Sequence, residues 1–484
     1  MWVRESRLGL FSAALVIGVG AGLGALAFRW LVFGSTWLAT GSTQFGQGGY
    51  GVLPAHFAWL GRASFLVIPV IAGLIYGPLV SKFAPEARGH GVPEVMAAVA
   101  FNKGRIRPRV ALVKAVASAV TIGGGGSVGR EGPIVQIGSA MASSLGQALN
   151  MPSKRLRIFV ACGAAAGISA TFNAPITGMF FGVEIILRAI SAEVLFAVML
   201  SSMAADAFIR LFIPNEPFLS GFPSGVQLHN PRNYLLIAVL AVIAALVGQF
   251  FSKMITAIED VCDRLWQGSA WRRRLPDGTL APDGEETTAS TRGTGVKAWL
   301  AGPKPEWLRP VVGGVVTGLI LIGLPQMYGV GYPVMYQAAN GGYVLWFLVV
   351  LAIGKMIATS VSLGIGGSGG VFAPSLFVGL MTGMAFGVAC NHLFGSGVGS
   401  PVLYAAVAMG AVFASATRAP LTALGSVVEM TGDFSLTLPI MLAAGIATVT
   451  SRALSYSTIY TAKLLRRGQD IDAYHVATVR PESP

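Results

Sequence analysis

The sequence predicts an all-α integral membrane protein folded as two inverted repeats. Three observations carry that prediction: an apolar composition, a series of short and broken hydrophobic stretches, and motifs that recur at a near-constant offset. Hydrophobic residues make up 54% of the 484 positions and charged residues only 11%, with a mean hydropathy of +0.67. A water-soluble globule of that composition would lack the polar side chains to cover its surface, so the chain belongs in lipid. The 34 Lys and Arg against 21 Asp and Glu leave a net charge of +13. In a membrane protein this excess marks cytoplasmic loops facing anionic lipid, and no nucleic-acid partner is implied. Cys162, Cys262 and Cys390 lie far apart in apolar segments and read as packing residues. The histidines show no metal-ligand spacing, so no metal is expected.

Apolar stretches recur at 8–33, 63–82, 109–122, 134–149, 157–187, 193–212 and 234–258, then at 309–327, 344–361, 371–391, 402–430 and 436–452. The first follows Arg4 and Arg7 but is too long for a cleaved signal, and reads as a retained span. Several fall short of the roughly 20 residues a perpendicular helix needs, and Gly and Pro interrupt them. Helices that stop inside a bilayer are tolerated only where protein or a cavity covers their ends. Loop charge supplies the orientation. Arg4, Arg7, Arg88, Lys103, Arg105, Arg107, Arg109, Lys154, Arg155 and Arg157 read as cytoplasmic, as does the basic stretch 266–310. The loop 213–233 holds Arg232 alone among basic residues and reads as outside. The expected organisation is therefore a first half over 1–212, an extracytoplasmic connection over 213–233, a second half over 234–465 with a cytoplasmic loop over 265–308, and a short cytoplasmic tail over 466–484. Both termini then lie in the cytoplasm, in a multi-pass protein of the plasma (inner) membrane.

The repeat is read from two blocks. Gly-Gly-Ser-Val-Gly-Arg-Glu-Gly-Pro at 125–133 aligns with Gly-Gly-Ser-Gly-Gly-Val-Phe-Ala-Pro at 366–374, where 366 − 125 = 241. Asn-Ala-Pro-Ile-Thr-Gly-Met-Phe-Phe-Gly-Val-Glu at 173–184 aligns with Arg-Ala-Pro-Leu-Thr-Ala-Leu-Gly-Ser-Val-Val-Glu at 418–429, where 418 − 173 = 245. With the N-terminus inside and 213–233 outside, the second half starts from the opposite side and the repeats are inverted. That architecture places a site near the midplane.

The residue types at the first block point to an anion. Gly123, Gly124, Gly125, Gly126, Gly129 and Gly132 leave backbone N–H groups open to close approach, and Pro133 suits the first turn of a following helix. The positive end of a helix pointing inward is an anion site, and the repeat supplies a second one. With almost no intramembrane lysine expected, the ion would be held by partial charges and released readily. Glu131 is the exception: a carboxylate there competes with the anion when ionised, withdraws when protonated, and so carries a proton. The plain alternative is a helix-start carboxylate with no transport role. Glu184 and Glu429 occupy equivalent repeat positions, which favours capping across the interface between the halves. Ser127 and Ser368 would serve an intramembrane enzyme as nucleophiles, but no intramembrane histidine motif supplies a base. A transporter or channel, not an enzyme, is expected.

Gly89-His90-Gly91-Val92-Pro93, Gly129-Arg130-Glu131-Gly132-Pro133 and Gly370-Val371-Phe372-Ala373-Pro374 resemble the three signature segments of the CLC chloride channels and transporters, in the prokaryotic form without cytoplasmic regulatory domains. The resemblance implies a fold of about 18 tilted, partly discontinuous helices. It also implies a homodimer with one pathway per subunit, chloride as the bound substrate ion and no cofactor. By the same resemblance Glu131 is the external gate and proton-exchanging group. The anion contacts fall to His90, Gly91, Val92, Arg130, Gly132, Val371, Phe372 and Ala373, with the Tyr456 hydroxyl donating from the cytoplasmic side. The Arg130 side chain itself reads as orienting the helix start.

Two positions depart from the family pattern. His90 stands where a serine is usual, either as a pH-sensitive donor or with its ring turned to the headgroups. Ile185 stands where proton-coupled members carry an internal glutamate, following one aligned with Glu184. The proton path is thus open between a route by water or Glu184, giving chloride/proton exchange, and no route at all, giving a channel or uncoupled carrier. Fluoride-selective relatives fit less well.

Overall fold

The structure, a computed structural model, describes residues 6–46, 54–214, 231–267, 304–395 and 398–473. Most of the connection expected at 213–233, most of the loop expected at 265–308 and the tail beyond 473 lie outside the described residues. The first half comprises α1 (Arg7–Thr40), α2 (Ser64–Phe83), α3 (Val92–Ala100), α4 (Arg109–Gly123), α5 (Glu131–Ala148), α6 (Ser153–Phe172), α7 (Pro175–Phe180) and α8 (Ala192–Ile209). The second comprises α9 (Pro231–Gln267), α10 (Arg309–Gly323), α11 (Tyr332–Ala339), α12 (Leu345–Gly364), α13 (Phe372–Phe394), α14 (Pro401–Thr417), α15 (Pro420–Thr431), α16 (Thr437–Leu454) and α17 (Thr461–Leu465). Among the described residues, nine helical segments are long and apolar enough to cross a membrane. Several of the others are much shorter, with α3, α7, α11 and α17 at 9, 6, 8 and 5 residues.

The stretches 157–187 and 402–430 each read as one apolar run, and each is two helices. α6 stops at Asn173 and α14 at Arg418, both in the left-handed region at φ 56° and 57°. The Ala-Pro that follows then opens α7 and α15. Proline lacks an N–H and disfavours a helical residue before it, so the break is local chemistry repeated in both halves. After α7 the chain continues over Phe181–Leu187 as π-helix.

A two-fold relation must show its contacts in reciprocal pairs, because the axis that carries i to j carries j to i. Several contacts between the halves come in such pairs. α2 and α10 cross on small faces: a Cβ at Gly73 would lie 2.5 Å from the Pro310 carbonyl oxygen, and one at Gly314 would lie 2.6 Å from that of Pro69. Close approach at small residues is how helices pack where lipid removes the hydrophobic drive between them. The Ser127 amide donates to Ser362 Oγ at 3.0 Å, and the Ser368 amide donates to Thr121 Oγ1 at 3.3 Å. Glu184 accepts from the Leu421 and Thr422 amides at 3.2 and 2.8 Å, while Glu429 accepts from those of Ile176 and Thr177 at 2.9 and 2.7 Å. Each glutamate thus caps the N-terminus of the other half's short helix, where a carboxylate meets free N–H groups and the positive dipole end.

Gly73→Val and Gly314→Val should therefore destabilise to a similar degree, by about 1–3 kcal/mol each through overpacking at equivalent points. Gly34→Ala, whose Cβ would meet nothing within 4 Å, should be silent. Thermal melts of the purified protein in detergent, followed by tryptophan fluorescence, check the ordering.

Candidate functional site

Three glycine segments converge at the centre. Gly129 and Gly370 exchange backbone hydrogen bonds at 2.8 and 2.6 Å, and the Gly89 amide donates to the Gly367 carbonyl at 3.1 Å while the Gly369 amide donates to Gly89 at 3.3 Å. These are isolated bridges, and the described residues form no other strand structure. Side chains would not fit: a Cβ at Gly370 would stand 2.5 Å from the Gly132 nitrogen, and one at Gly91 would stand 2.9 Å from the Gly132 oxygen. Gly91 also needs its φ of 81°, a conformation glycine adopts without a Cβ penalty. The result brings the N-termini of α3, α5 and α13 to one place, with their free amides and positive dipole ends.

Glu131 lies in that convergence and is buried, at 1% exposure. Its Oε1 accepts from the Tyr332 hydroxyl at 2.9 Å and its Oε2 from the Ala373 amide at 3.4 Å. One carboxylate therefore links the start of its own helix to the start of α13. The Phe372 ring is committed elsewhere, stacked on Phe172 at 5.3 Å and tilted against Phe413 at 4.6 Å. Arg130 donates to the Thr171 carbonyl at 3.3 Å and lies over the Tyr332 ring at 5.3 Å, so its side chain braces the helix start.

Tyr332 was not singled out by sequence, although the signal was present. Gly-Val-Gly-Tyr-Pro at 329–333 repeats Gly-His-Gly-Val-Pro at 89–93 with an offset of 240. Two lysines belong to the same repeat, with 355 − 114 = 241. Lysine was expected to be nearly absent from the membrane interior, yet Lys114 and Lys355 are both buried at 0% exposure. Each straps its own half's glycine turn: Lys114 Nζ donates to the Ala87 and Gly89 carbonyls at 2.9 and 2.7 Å, and Lys355 Nζ to the Gly329 carbonyl at 2.9 Å.

Tyr456 is corrected. It is 60% exposed, and its hydroxyl donates to Asp470 at 2.8 Å, a bond that raises the phenol's pKa. Arg418 holds the carbonyls of Ser455 and Tyr456 and turns this tyrosine outward. The tyrosine that faces the site is Tyr460, 2% exposed, its ring 6.2 Å from that of His90. His90 is not turned to the headgroups: it is 1% exposed, and its Nδ1 is buried without a hydrogen-bond partner among the described residues. Gly91, Val92, Gly132, Val371 and Ala373 are likewise buried. Both oxygens of Glu184 are held by amides at the start of α15. Ile185 is buried with no acid in its place.

Two cavities of about 470 and 460 Å³ flank the centre. Gly89 and Gly366 border the first, in which Arg88 pairs with Asp263 and Glu306 and Arg466 pairs with Glu259 and Asp260. Arg130, Gly329, Gly331 and Tyr332 border the second.

Inverted halves, half-length helices and a midplane site flanked by two cavities define an ion-pathway membrane protein rather than an enzyme. The model of the voltage gated chloride channel family matches residues 72–277 and 291–452, and the chain belongs to that family. It is 30% identical over 473 residues to a ClcB-like chloride channel protein of Ralstonia nicotianae, covering 95% of this chain and 98% of that one. It is 31% identical over 414 residues to the H(+)/Cl(−) exchange transporter ClcA of Vibrio campbellii, covering 84% and 80%. The fold matches a slow cyanobacterial Cl−/H+ antiporter with a TM-score of 0.75 at 24% identity, over 96% of this chain and 98% of that one. It also matches a CLC-type fluoride/proton antiporter with a TM-score of 0.70 at 21% identity, over 94% and 97%.

After Lys114→Met the Ala87 carbonyl keeps the Ser368 hydroxyl and the Gly89 carbonyl keeps the Gly369 amide, whereas Lys355→Met removes the donor that the Gly329 carbonyl has among the described residues. At about 1–3 kcal/mol for a group stranded in this way, Lys355→Met should lower the melting temperature more than Lys114→Met.

Proposed function

We propose that the chain moves chloride across the inner membrane through one pathway in each subunit of a homodimer, and exchanges it for protons at Glu131. The observation that carries this reading is the position of the Glu131 carboxylate. It sits where the α5 and α13 N-termini meet and accepts from the Ala373 amide, as a bound halide would. Protonation removes the charge that holds it there, so the same group gates the ion and carries the proton. Toward the cytoplasm, His90 and Tyr460 offer a ring nitrogen and a hydroxyl beside the backbone of Gly91 and Val92, and chloride itself is the only small-molecule ligand the site requires. Basic residues around the first cavity support placing it inside, with both termini on that side and the 213–233 connection outside.

A second reading, an uncoupled chloride pathway, is favoured by one observation: the buried Ile185 carries no proton, and Glu184 is tied to the Leu421 and Thr422 amides. Proton movement in liposomes under a chloride gradient, with voltage clamped by valinomycin, separates the two. Exchange gives uphill proton movement that Glu131→Gln abolishes while chloride flux persists. Chloride flux without proton movement in the native protein assigns the uncoupled pathway. Chloride flux should also rise as pH falls in the native protein and become nearly flat in Glu131→Gln.

Tyr460→Phe should weaken chloride binding several-fold, on the order of the about 1 kcal/mol one hydrogen bond contributes. Tyr456→Phe should leave it unchanged. Calorimetric chloride titration of the two variants checks the assignment.

A further inference from the structure

The two cavities differ in charge in a way the inverted frame does not require. In the inner one the cations are matched: Arg88, Arg309 and Arg466 pair with Asp263, Glu306, Glu259 and Asp260. Arg467 pairs with Glu94 at 2.8 Å. The outer cavity is bordered by two arginines, Arg29 from α1 and Arg130 from the start of α5, and by no carboxylate among the described residues. The charge of Arg130 acts on Arg29 as a like charge. Two guanidinium groups facing one concave, partly apolar space repel each other, and that repulsion falls when an anion enters between them. Among the described residues no acid pairs with Arg29; its guanidinium lies 5.1 Å above the ring of Phe33 on the same helix. Below the floor, Lys355 donates to the carbonyl of Gly329, which borders the cavity. The inward wall is Tyr332, whose hydroxyl reaches Glu131 at 2.9 Å.

We propose that this outer cavity is an anion-capture site, with Arg29 as its determining residue, lying one step outside the position that the Glu131 carboxylate occupies. It takes small monovalent inorganic anions, chloride foremost, and concentrates them next to Tyr332 and the gate. The proposal rests on the anion-transport reading and adds a residue to it. Arg29 touches neither Glu131 nor the glycine centre, so its role is to raise the local anion concentration and the entry rate, leaving the later steps unchanged.

The test compares radiolabelled chloride uptake by right-side-out and inside-out inner-membrane vesicles containing the full-length protein. Arg29→Gln should raise the half-saturating chloride concentration about three- to tenfold at the outer face, with maximal flux within about twofold and the inner face unchanged. Raising ionic strength with an impermeant salt should shrink the difference between native and variant protein, because exposed charge is screened. Arg29→Lys should keep most of the native outer affinity, which a packing role for the guanidinium would not allow. An outer half-saturation unchanged in Arg29→Gln, an equal rise at both faces, or an Arg29→Lys variant as weak as Arg29→Gln would each overturn the capture site. Absence of chloride flux in the native protein would instead overturn the transport reading beneath it.

Discussion

The constraint on which the rest depends is that helices end in the middle of the molecule. The first four N–H groups of a helix have no partner within it, and in a medium without water each unsatisfied group costs several kcal/mol, of the order of 2–7. The starts of α3, α5 and α13 therefore need either a polar guest or a backbone partner. The glycine bridges between 129 and 370 and between 89 and the 367–369 segment hold the three ends together. The Glu131 carboxylate then occupies the polar space they create. Lys114 and Lys355 perform the complementary task, satisfying carbonyls on the same turns that a glycine-rich path leaves exposed.

The frame is two-fold symmetric but its chemistry is not. Reciprocal pairs such as Glu184 with Glu429 and Ser127 with Ser368 are the same in both halves, and they are structural. The positions proposed to be functional are those where the repeat breaks. With an offset of 241, the counterpart of Glu131 is Phe372 and that of Arg130 is Val371. With an offset of 240, the counterpart of His90 is Val330 and that of Tyr332 is Val92. One half thus supplies a carboxylate where the other supplies a bulky ring clamped by Phe172 and Phe413. A pathway with one gate needs that inequality, because two equivalent carboxylates would close both ends by the same rule.

The membrane class, the inverted halves and the glycine centre were legible because each has a sequence signature: composition, offset and Gly-Pro spacing. The parts that were not legible depend on contacts distant in sequence. Ser455, Tyr456, Ser457, Thr458, Ile459 and Tyr460 offer two tyrosines four residues apart, and nothing local says which faces inward. Arg418, far away in sequence, fixes the Ser455 and Tyr456 carbonyls, and the Thr458 and Thr461 side chains cap the turn into α17 that carries Tyr460 inward. The lysines were passed over for a related reason. A charge inside lipid reads as improbable from composition, and only the carbonyls of a glycine turn make such a site tolerable.

Proton access differs between the two faces in a way that bears on coupling. On the outer side the route is short: cavity, Tyr332 hydroxyl, Glu131 oxygen at 2.9 Å. On the inner side Glu94, Asp260, Asp263 and Glu306 are each in ion pairs with Lys or Arg. On the exchange reading, Ile185 and the capped Glu184 offer no direct relay on that side. Exchange in this chain therefore requires a proton to cross from the inner cavity to Glu131 over a stretch without a free carboxylate, carried by water or by transient opening of an ion pair. Chloride passage requires neither, and coupling is for that reason the step most sensitive to how well the glycine centre excludes water.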